Sequence, residues 1–596
     1  MIDQIAPATV VEHAVVPSDF AFPLNVYARM LQLQEGKVDY LHYGIFSSDG
    51  ESVLAAQERA SALMWQVLPG PCRLIEVGIG LGTTLARLMT QGYAAVGITP
   101  DASQVAAARF RFGPGLPVAL SRLEEFSQSA GEWDAILFQE SAQYIEPLEL
   151  FASANRLLKS EQATMVVMDE FALSRRAVEH TGLHQLDDFC ALAARCGWRL
   201  DHRVDLSRQA RPTLGYIART VATHRQQLID DLHVTADQLM ALDASTQHYQ
   251  RLYEQGIYGY ALLRFKRERA SSSRLLYIDL VHSPAMMDLF AKVFRTAMSP
   301  QQWAWKYGDG RGRAVGLQQD GRLAAHYGGV ARPVSYLGRP AMACQVCDVM
   351  VDQSANTSLT RRGAMYQVAA TFLENEIGWG CRHLVGFGFP SARAFGVAQR
   401  LGLYAEVDRI AKVAWPGDAS VRPASVFVAP LGEHGALLSS RDSQAVDRLW
   451  QAMVQAFPDS VLGKRDAAWI QHRYLQRPDC RYELLLVRRR WTRRPVGVVV
   501  MRRHEQHLEV LDFVAPPSHF GVLVSVARAH AAASGLGRVE CWITSSHRHL
   551  VDGIDPEHVT VTDLDIHVPT SVHTAGPSVD DLRGRWFLMA GDADFT

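Results

Sequence analysis

Between residues 72 and 170, four short apolar runs recur with helix-length stretches between them, and the first runs into a glycine-rich turn. The runs are RLIEV at 73–77, AAVGI at 94–98, DAILF at 134–138 and TMVVM at 164–168. Such alternation confines the chain to a parallel sheet with helices on both faces, because a parallel neighbour needs a crossover long enough to hold a helix. The turn reads Glu76-Val77-Gly78-Ile79-Gly80-Leu81-Gly82. Glycines there let the backbone turn tightly and approach a ligand with no Cβ in the way.

A bare GxGxG does not separate one nucleotide ligand from another, but its surroundings do. A dinucleotide needs GxGxxG against its pyrophosphate. An acidic residue directly before the turn, Glu76, suits a cationic amino-acid tail instead. These residues resemble motif I of class I S-adenosylmethionine (SAM) dependent methyltransferases, and the resemblance spans roughly 40–265. The segment from Gly97 to Gln104 resembles the Gly-Ile-Thr turn of the cyclopropane-fatty-acid-synthase-like branch, with Thr99 and Gln104 as cofactor residues. That branch often lacks the acidic ribose ligand, and Asp101, slightly late, is a substitute. Leu123 and Glu124 occupy the adenine position, and Gln139 and Glu140 the loop after the fourth strand. Tyr43 and Gly44 match a lead-in that closes over the methionine end. Ligands of open parallel sheets sit beyond the carboxyl ends of the strands. Glu140 and His184 are therefore the candidate catalytic groups, and Asp169 and Glu170, at the end of the fifth strand, candidate substrate contacts. Glu140 reads equally as a solvated loop carboxylate, His184 as a helical surface histidine, and the pair 169–170 as a strand-end cap. Residues 171–255 read as mainly helical and would cover the acceptor, and YALLRF at 260–265 closes the sheet.

With 596 residues the chain exceeds one core, and three or four domains are expected. Apolar residues at 48% and charged residues at 20% match an ordinary globular protein, and a net charge of -2 argues against nucleic acid as partner. No run is long enough to cross a bilayer. The first twenty residues lack the basic start and apolar core of a signal peptide, so a cytoplasmic protein is expected. Eight cysteines do not make a disulfide framework, and Cys344 with Cys347 reads as a pair of buried thiols, with no metal site expected.

After the polar linker at 266–273 the pattern changes. Strand-like runs flank Asp320-Gly321, a strong hairpin signal. A longer strand at 345–351, a helix at 362–377, a strand at 384–388 and a helix at 391–401 follow. Residues 275–415 in this order resemble the GNAT acetyltransferase fold. The resemblance implies acetyl-CoA held near Val351 and by Arg361, Arg362, Gly363 and Ala364, where a helix N-terminus receives phosphates. The two arginines read equally as a solvated helix start. The position where the family often carries a proton-donating tyrosine is Ala398 here, and Tyr404 lies beyond it.

A second linker at 416–435 leads into a segment that restarts the same plan. FRTAMSPQQWAWKY at 294–307 and FPDSVLGKRDAAWIQHRY at 457–474 each run from Phe through a helical Trp to a basic residue and Tyr. This marks an internal duplication. The basic run at 488–494 is expected at a solvated hairpin tip, Gly535 as a helix cap, and 585–595 as a final strand with an acidic tip.

The expected organisation is α/β throughout: a Rossmann-like SAM methyltransferase domain at 1–268, a GNAT-like acetyltransferase domain at 275–420 and a second, degenerate GNAT-like domain at 436–596. The implied activity is bifunctional: SAM-dependent methylation of a small molecule, lipid or carrier-bound intermediate, with acetyl-CoA-dependent acylation of an amine or hydroxyl. The alternative is a methyltransferase fused to a noncatalytic GNAT-like binding module.

Overall fold

The computed structural model describes residues 19–594 except 49, 160, 175–181, 269–272, 356, 357, 359 and 422. Parts of the helical lead-in, the polar linker, the 353–360 loop and the closing Phe595 lie outside the described residues. The chain divides into two compact units, 1–276 and 277–596.

Unit 1 is built on strands β1 (Arg73–Val77), β2 (Ala94–Thr99), β3 (Val118–Leu120), β4 (Ala135–Gln139), β5 (Thr164–Ala172), β6 (Trp198–Asp205) and β7 (Tyr258–Arg267). Their order is β3-β2-β1-β4-β5-β7-β6. The first five are parallel, and β7 runs antiparallel to both β5 and β6. All four apolar runs form strands, and β5, the most apolar, is buried at every residue. The chain goes from β1 outwards through β2 and β3, then returns to place β4 on the other side of β1. A crevice opens at that reversal, beyond the carboxyl ends of β1 and β4.

One element corrects the reading of 171–255 as mainly helical. The segment WRLDHRVD is the edge strand β6, alternating buried and accessible positions. Five of its eight residues are charged or histidine, so its sequence carries no apolar run; pairing with β7 makes it a strand. Helices at Leu186–Arg195, Pro212–Thr223, Arg225–Leu232 and Ala236–Glu254 account for much of the rest.

Unit 2 contains β8 (Gly312–Gln319), β9 (Arg322–Tyr336), β10 (Arg339–Val351), β11 (Val385–Phe387), β12 (Tyr404–Pro416), β13 (Val426–Pro430), β14 (Val461–Gly463), β15 (Glu483–Arg489), β16 (Pro495–Arg503), β17 (Leu508–Val514), β18 (Arg538–Thr544), β19 (Thr560–Ser571) and β20 (Trp586–Phe587). One sheet runs β11-β10-β9-β14-β20, with β8 also on β9; the other runs β13-β15-β16-β17-β18-β12-β19. Asp320 and Gly321 turn the β8–β9 hairpin with φ of 48° and 77°, the left-handed pair a two-residue turn requires. The basic run forms the β15–β16 tip, and Gly535, at φ 74°, follows the helix Phe520–Ala533.

The two GNAT-like halves do not close separately. β12, from the first half, lies between β18 and β19 of the second sheet, while β14 and β20, from the second half, extend the first. Strand exchange of this kind is invisible to local patterning, because the partner of a strand edge is set by long-range pairing. The duplication is nevertheless plain in side chains. The Tyr307 hydroxyl donates to Asp348 on β10 at 2.5 Å, and the Tyr474 hydroxyl to Asp512 on β17 at 2.9 Å. Trp305 and His472, each two residues before its tyrosine, stack on one another with ring centres 5.2 Å apart.

The expected acidic tip is not solvated. Asp592 is fully buried between Arg332, at 2.9 Å, and Arg465, at 2.5 Å, and Arg465 also pairs with Asp512 at 2.6 Å. Although burial pushes the Asp592 carboxyl up, the two guanidiniums hold it below its usual range. Cys344 and Cys347 are both buried on β10. Cys347 lies beside Asp348 and Asp594, and the Lys306 ammonium already bridges those carboxylates at 2.8 and 3.0 Å.

Candidate functional site

Beyond the ends of β1 and β4, unit 1 encloses a cavity of about 950 Å³. The turn after β1 forms its floor. Gly78, at φ 81°, donates its N–H to Ile98 at 2.8 Å, and a Cβ there would come within 2.6 Å of Ser141. Gly82, at φ 76°, would bring a Cβ to 2.8 Å from Ala108. Both are glycine for packing, and Gly82 does not line the cavity. Gly80 differs: at φ 51° it has nothing within 4 Å of a Cβ, so its missing side chain leaves space over the turn.

Glu76 lines this space. It is 2% exposed, and its Oε2 has no partner. Burial alone pushes its carboxyl up to about 8. Gln139 accepts from the Thr84 hydroxyl at 3.2 Å, while its Nε2, also on the cavity wall, is buried without a partner. An orphaned carboxylate oxygen and an orphaned amide N–H beside an open glycine turn fit the ammonium-and-carboxylate end of an amino acid, as SAM carries. Thr99, bonded to Gln104 at 2.9 Å, lines the same cavity with Leu123 and Glu124. Asp101, a possible ribose ligand from sequence, caps the helix Ala102–Phe112 by accepting from Ser103 N–H at 2.8 Å.

Glu140 projects into the cavity from a left-handed backbone, φ 52°, an uncommon conformation for a non-glycine residue. Its Oε1 accepts from the Tyr43 N–H at 2.6 Å and the Tyr260 hydroxyl at 2.5 Å. Burial holds its carboxyl well above the usual range, against the pull of those two bonds. Glu170 also lines the cavity and accepts from the Tyr253 hydroxyl at 2.7 Å. Burial takes it up to about 7, against hydrogen bonds from Tyr253 and Tyr43. Asp169 lies behind the wall, accepting from the Gln143 N–H at 3.1 Å and the Glu170 N–H at 2.9 Å; burial pushes it up to about 8.

Two sequence candidates are placed elsewhere. His184 does not line the cavity. Its Nε2 donates to the carbonyls of Ala142 and Ile145, at 3.0 and 2.9 Å, and its ring stacks on Phe189, so it clamps the loop that carries Glu140. Gly44 packs beneath Tyr43, where a Cβ would meet Ala56 at 2.7 Å. Tyr260, Tyr253, Tyr249 and Tyr27 were not singled out from sequence. Only the spacing of Tyr249 and Tyr253, four apart on one helix face, was a usable signal.

In unit 2, Val351 ends β10 and Gly363 caps the helix Ala364–Glu376 without a side-chain cap bond. A Cβ on Gly363 would collide with the Ser358 carbonyl, so the loop folds tightly onto the helix start. Arg361 and Arg362 are exposed there. An uncapped helix N-terminus beside two guanidiniums fits the phosphates of coenzyme A. Tyr404 is buried at the start of β12, its hydroxyl against that of Tyr327, and burial raises it above the usual tyrosine range. Ala398 is 1% exposed.

A family model described as a methyltransferase domain matches residues 75–166, and one described as an acetyltransferase (GNAT) domain matches 279–402. No curated protein matches the chain. Among solved structures, the cyclopropane synthase MmaA2 from Mycobacterium tuberculosis is 17% identical, covering 42% of this chain and 97% of that one, with a TM-score of 0.36. The [4+2]-cyclase SpnF is 20% identical over 44% of this chain and 99% of its own, with a TM-score of 0.36. A probable N-acyltransferase from Enterococcus faecalis V583 is 12% identical over 50% and 72%, with a TM-score of 0.40. The protein is thus a mixed α/β chain with a Rossmann-like methyltransferase region followed by a GNAT-like acetyltransferase region. No helix among the described residues is long and apolar enough to cross a membrane.

Proposed function

We propose that unit 1 takes SAM and methylates a small molecule, lipid or carrier-bound intermediate, and that unit 2 takes acetyl-CoA and acylates an amine or hydroxyl. The observation that carries the first half is the open space over Gly80 beside the unpartnered Oε2 of Glu76. Glu76, Gly78, Gly80 and Gln139 would hold the amino-acid end of the cofactor, and Thr99, Gln104, Leu123 and Glu124 the nucleoside end. When bound, SAM supplies a methyl group on a positively charged sulfur. The chain's own work is alignment of the acceptor, exclusion of water by the tyrosine walls and, for a weakly acidic nucleophile, removal of a proton. Glu140 is placed for that last task, since a carboxyl raised by burial is a competent proton acceptor near neutral pH.

In unit 2, Arg361, Arg362 and the N–H groups following Gly363 would receive the coenzyme A phosphates, and coenzyme A would supply the acyl thioester. A second reading, a noncatalytic GNAT-like module, is favoured by Ala398 and by the engagement of the Tyr404 hydroxyl with Tyr327. Eight unpaired cysteines suit the cytoplasm. Calorimetric titration of the intact chain with SAM and with acetyl-CoA tests both halves. Heat with SAM alone removes the acyl-transfer half, and no heat with SAM removes the methyl-transfer half. Replacing Arg361 and Arg362 by Ala leaves product formation unchanged under the noncatalytic reading and abolishes acylation under the first.

A further inference from the structure

The cavity of unit 1 continues past the cofactor residues, and its far end has a definite chemistry. Among the described lining residues the only lysine or arginine is Arg122, which stands with Leu123 and Glu124 in the loop after β3. The far end carries Glu140 and Glu170 instead. His42 brings no charge to balance them, because burial pushes its imidazole down to about 4. Both carboxylates are held by neutral donors, Tyr253 on Glu170 and the Tyr43 N–H and Tyr260 hydroxyl on Glu140. Neutral donors orient a carboxylate without cancelling its charge, so an ammonium entering the cavity would be stabilised by both. Tyr27, Tyr43 and Tyr249 present aromatic surface to the same space, which attracts cations. Leu214 and Ile217 give it an apolar side. That the hollow is built to be filled is shown independently by Glu76 Oε2 and Gln139 Nε2, both more than nine-tenths buried, both on its wall and both without a partner.

We propose that the acceptor held in this cavity is an amine bound in its ammonium form on a small apolar body, with Glu170 and Glu140 as its counter-charges and the tyrosines as its walls. The proposal rests on the methyl-transfer reading above. The nitrogen gives its proton to Glu140 and forms a new bond to carbon with the freed lone pair. The carbon–sulfur bond breaks as its electron pair returns to sulfur, and Glu140 later releases the proton to solvent.

The test titrates the full chain, loaded with S-adenosylhomocysteine, with phenethylamine, with phenethyl alcohol as its neutral counterpart and with hydrocinnamate as an anionic one. The amine is expected to bind at least about tenfold more tightly than the alcohol, with the anion weakest. Glu170→Gln is expected to bring the amine to the level of the alcohol while leaving S-adenosylhomocysteine affinity unchanged. Equal or tighter binding of the alcohol or the anion overturns the proposal, as does absence of amine binding at millimolar concentration. If Glu170→Gln fails to fold, the wild-type comparison decides alone. Failure of S-adenosylhomocysteine itself to bind overturns the underlying methyl-transfer reading instead, and is read before any amine is added.

Discussion

The Tyr260 hydroxyl donates to the Glu140 carboxylate at 2.5 Å, tying β7 to the turn after β4 across 120 residues of chain. Burial raises the Glu140 carboxyl, and this bond is the strongest of the influences holding it down. Tyr260→Phe therefore raises Glu140 further. If Glu140 accepts the acceptor's proton, the acid limb of the methyl-transfer rate moves to higher pH, with S-adenosylhomocysteine affinity unchanged. A pH–rate profile of the two proteins measures this, and an unmoved limb removes Glu140 from the chemistry.

The glycines of one turn should separate into two kinds. Gly80→Arg projects into open space, so it should abolish binding of S-adenosylhomocysteine while costing only about 1–2 kcal/mol for its left-handed backbone. Gly82→Ala drives a methyl group against Ala108 at 2.8 Å and should destabilise unit 1 by about 1–3 kcal/mol, with weaker effect on ligand. Urea unfolding and calorimetry on both variants give the comparison. Retained binding in Gly80→Arg would sink the assignment of the turn.

Three buried carboxyls give the stability of unit 1 a definite pH slope. Glu76 and Asp169 are pushed up to about 8 and Glu170 to about 7, all by burial. Unfolded, these groups ionise near 4. Between those limits the native state holds more protons than the unfolded state, so their contribution is fully present below about pH 4 and is lost as pH rises through 7 to 8. Melting scans from pH 5.5 to 8.5 should show a falling Tm for unit 1, and S-adenosylhomocysteine, by pairing its ammonium with Glu76, should flatten the fall. A Tm rising across that range contradicts the burial of these groups as acids.

Asp592 is the shared anion of two buried arginines. Asp592→Ala leaves Arg332 without its carboxylate and Arg465 with only Asp512. A loss of about 3–5 kcal/mol is expected in denaturant unfolding of unit 2, because an unpaired buried charge costs more than the pair contributed. A loss under 1 kcal/mol would mean that the terminal segment is not seated between the sheets.

Much of unit 1 was legible because its information is local. The runs at 73–77, 94–98, 134–138 and 164–168 coincide with β1, β2, β4 and β5 to within a few residues, since apolar, β-rich stretches between helix-length segments have few other ways to bury themselves. The glycine turn was equally local. What escaped was long-range: β6 is polar and becomes a strand only beside β7, and β12 pairs within the second sheet. His184 escaped too, because the carbonyls that occupy its Nε2 lie about forty residues earlier in the chain.

From its order of residues alone the chain specified a Rossmann-like region with a glycine turn behind an acidic residue, and a duplicated helix–Tyr signature further on. Tertiary structure decided which glycine leaves space, which carboxylates share a wall with tyrosines, and that an acidic end becomes the buried anion of two arginines. The division follows from reach: backbone preference and apolar periodicity act over a few residues, whereas desolvation and charge pairing depend on groups brought together from 97 to 260 positions apart.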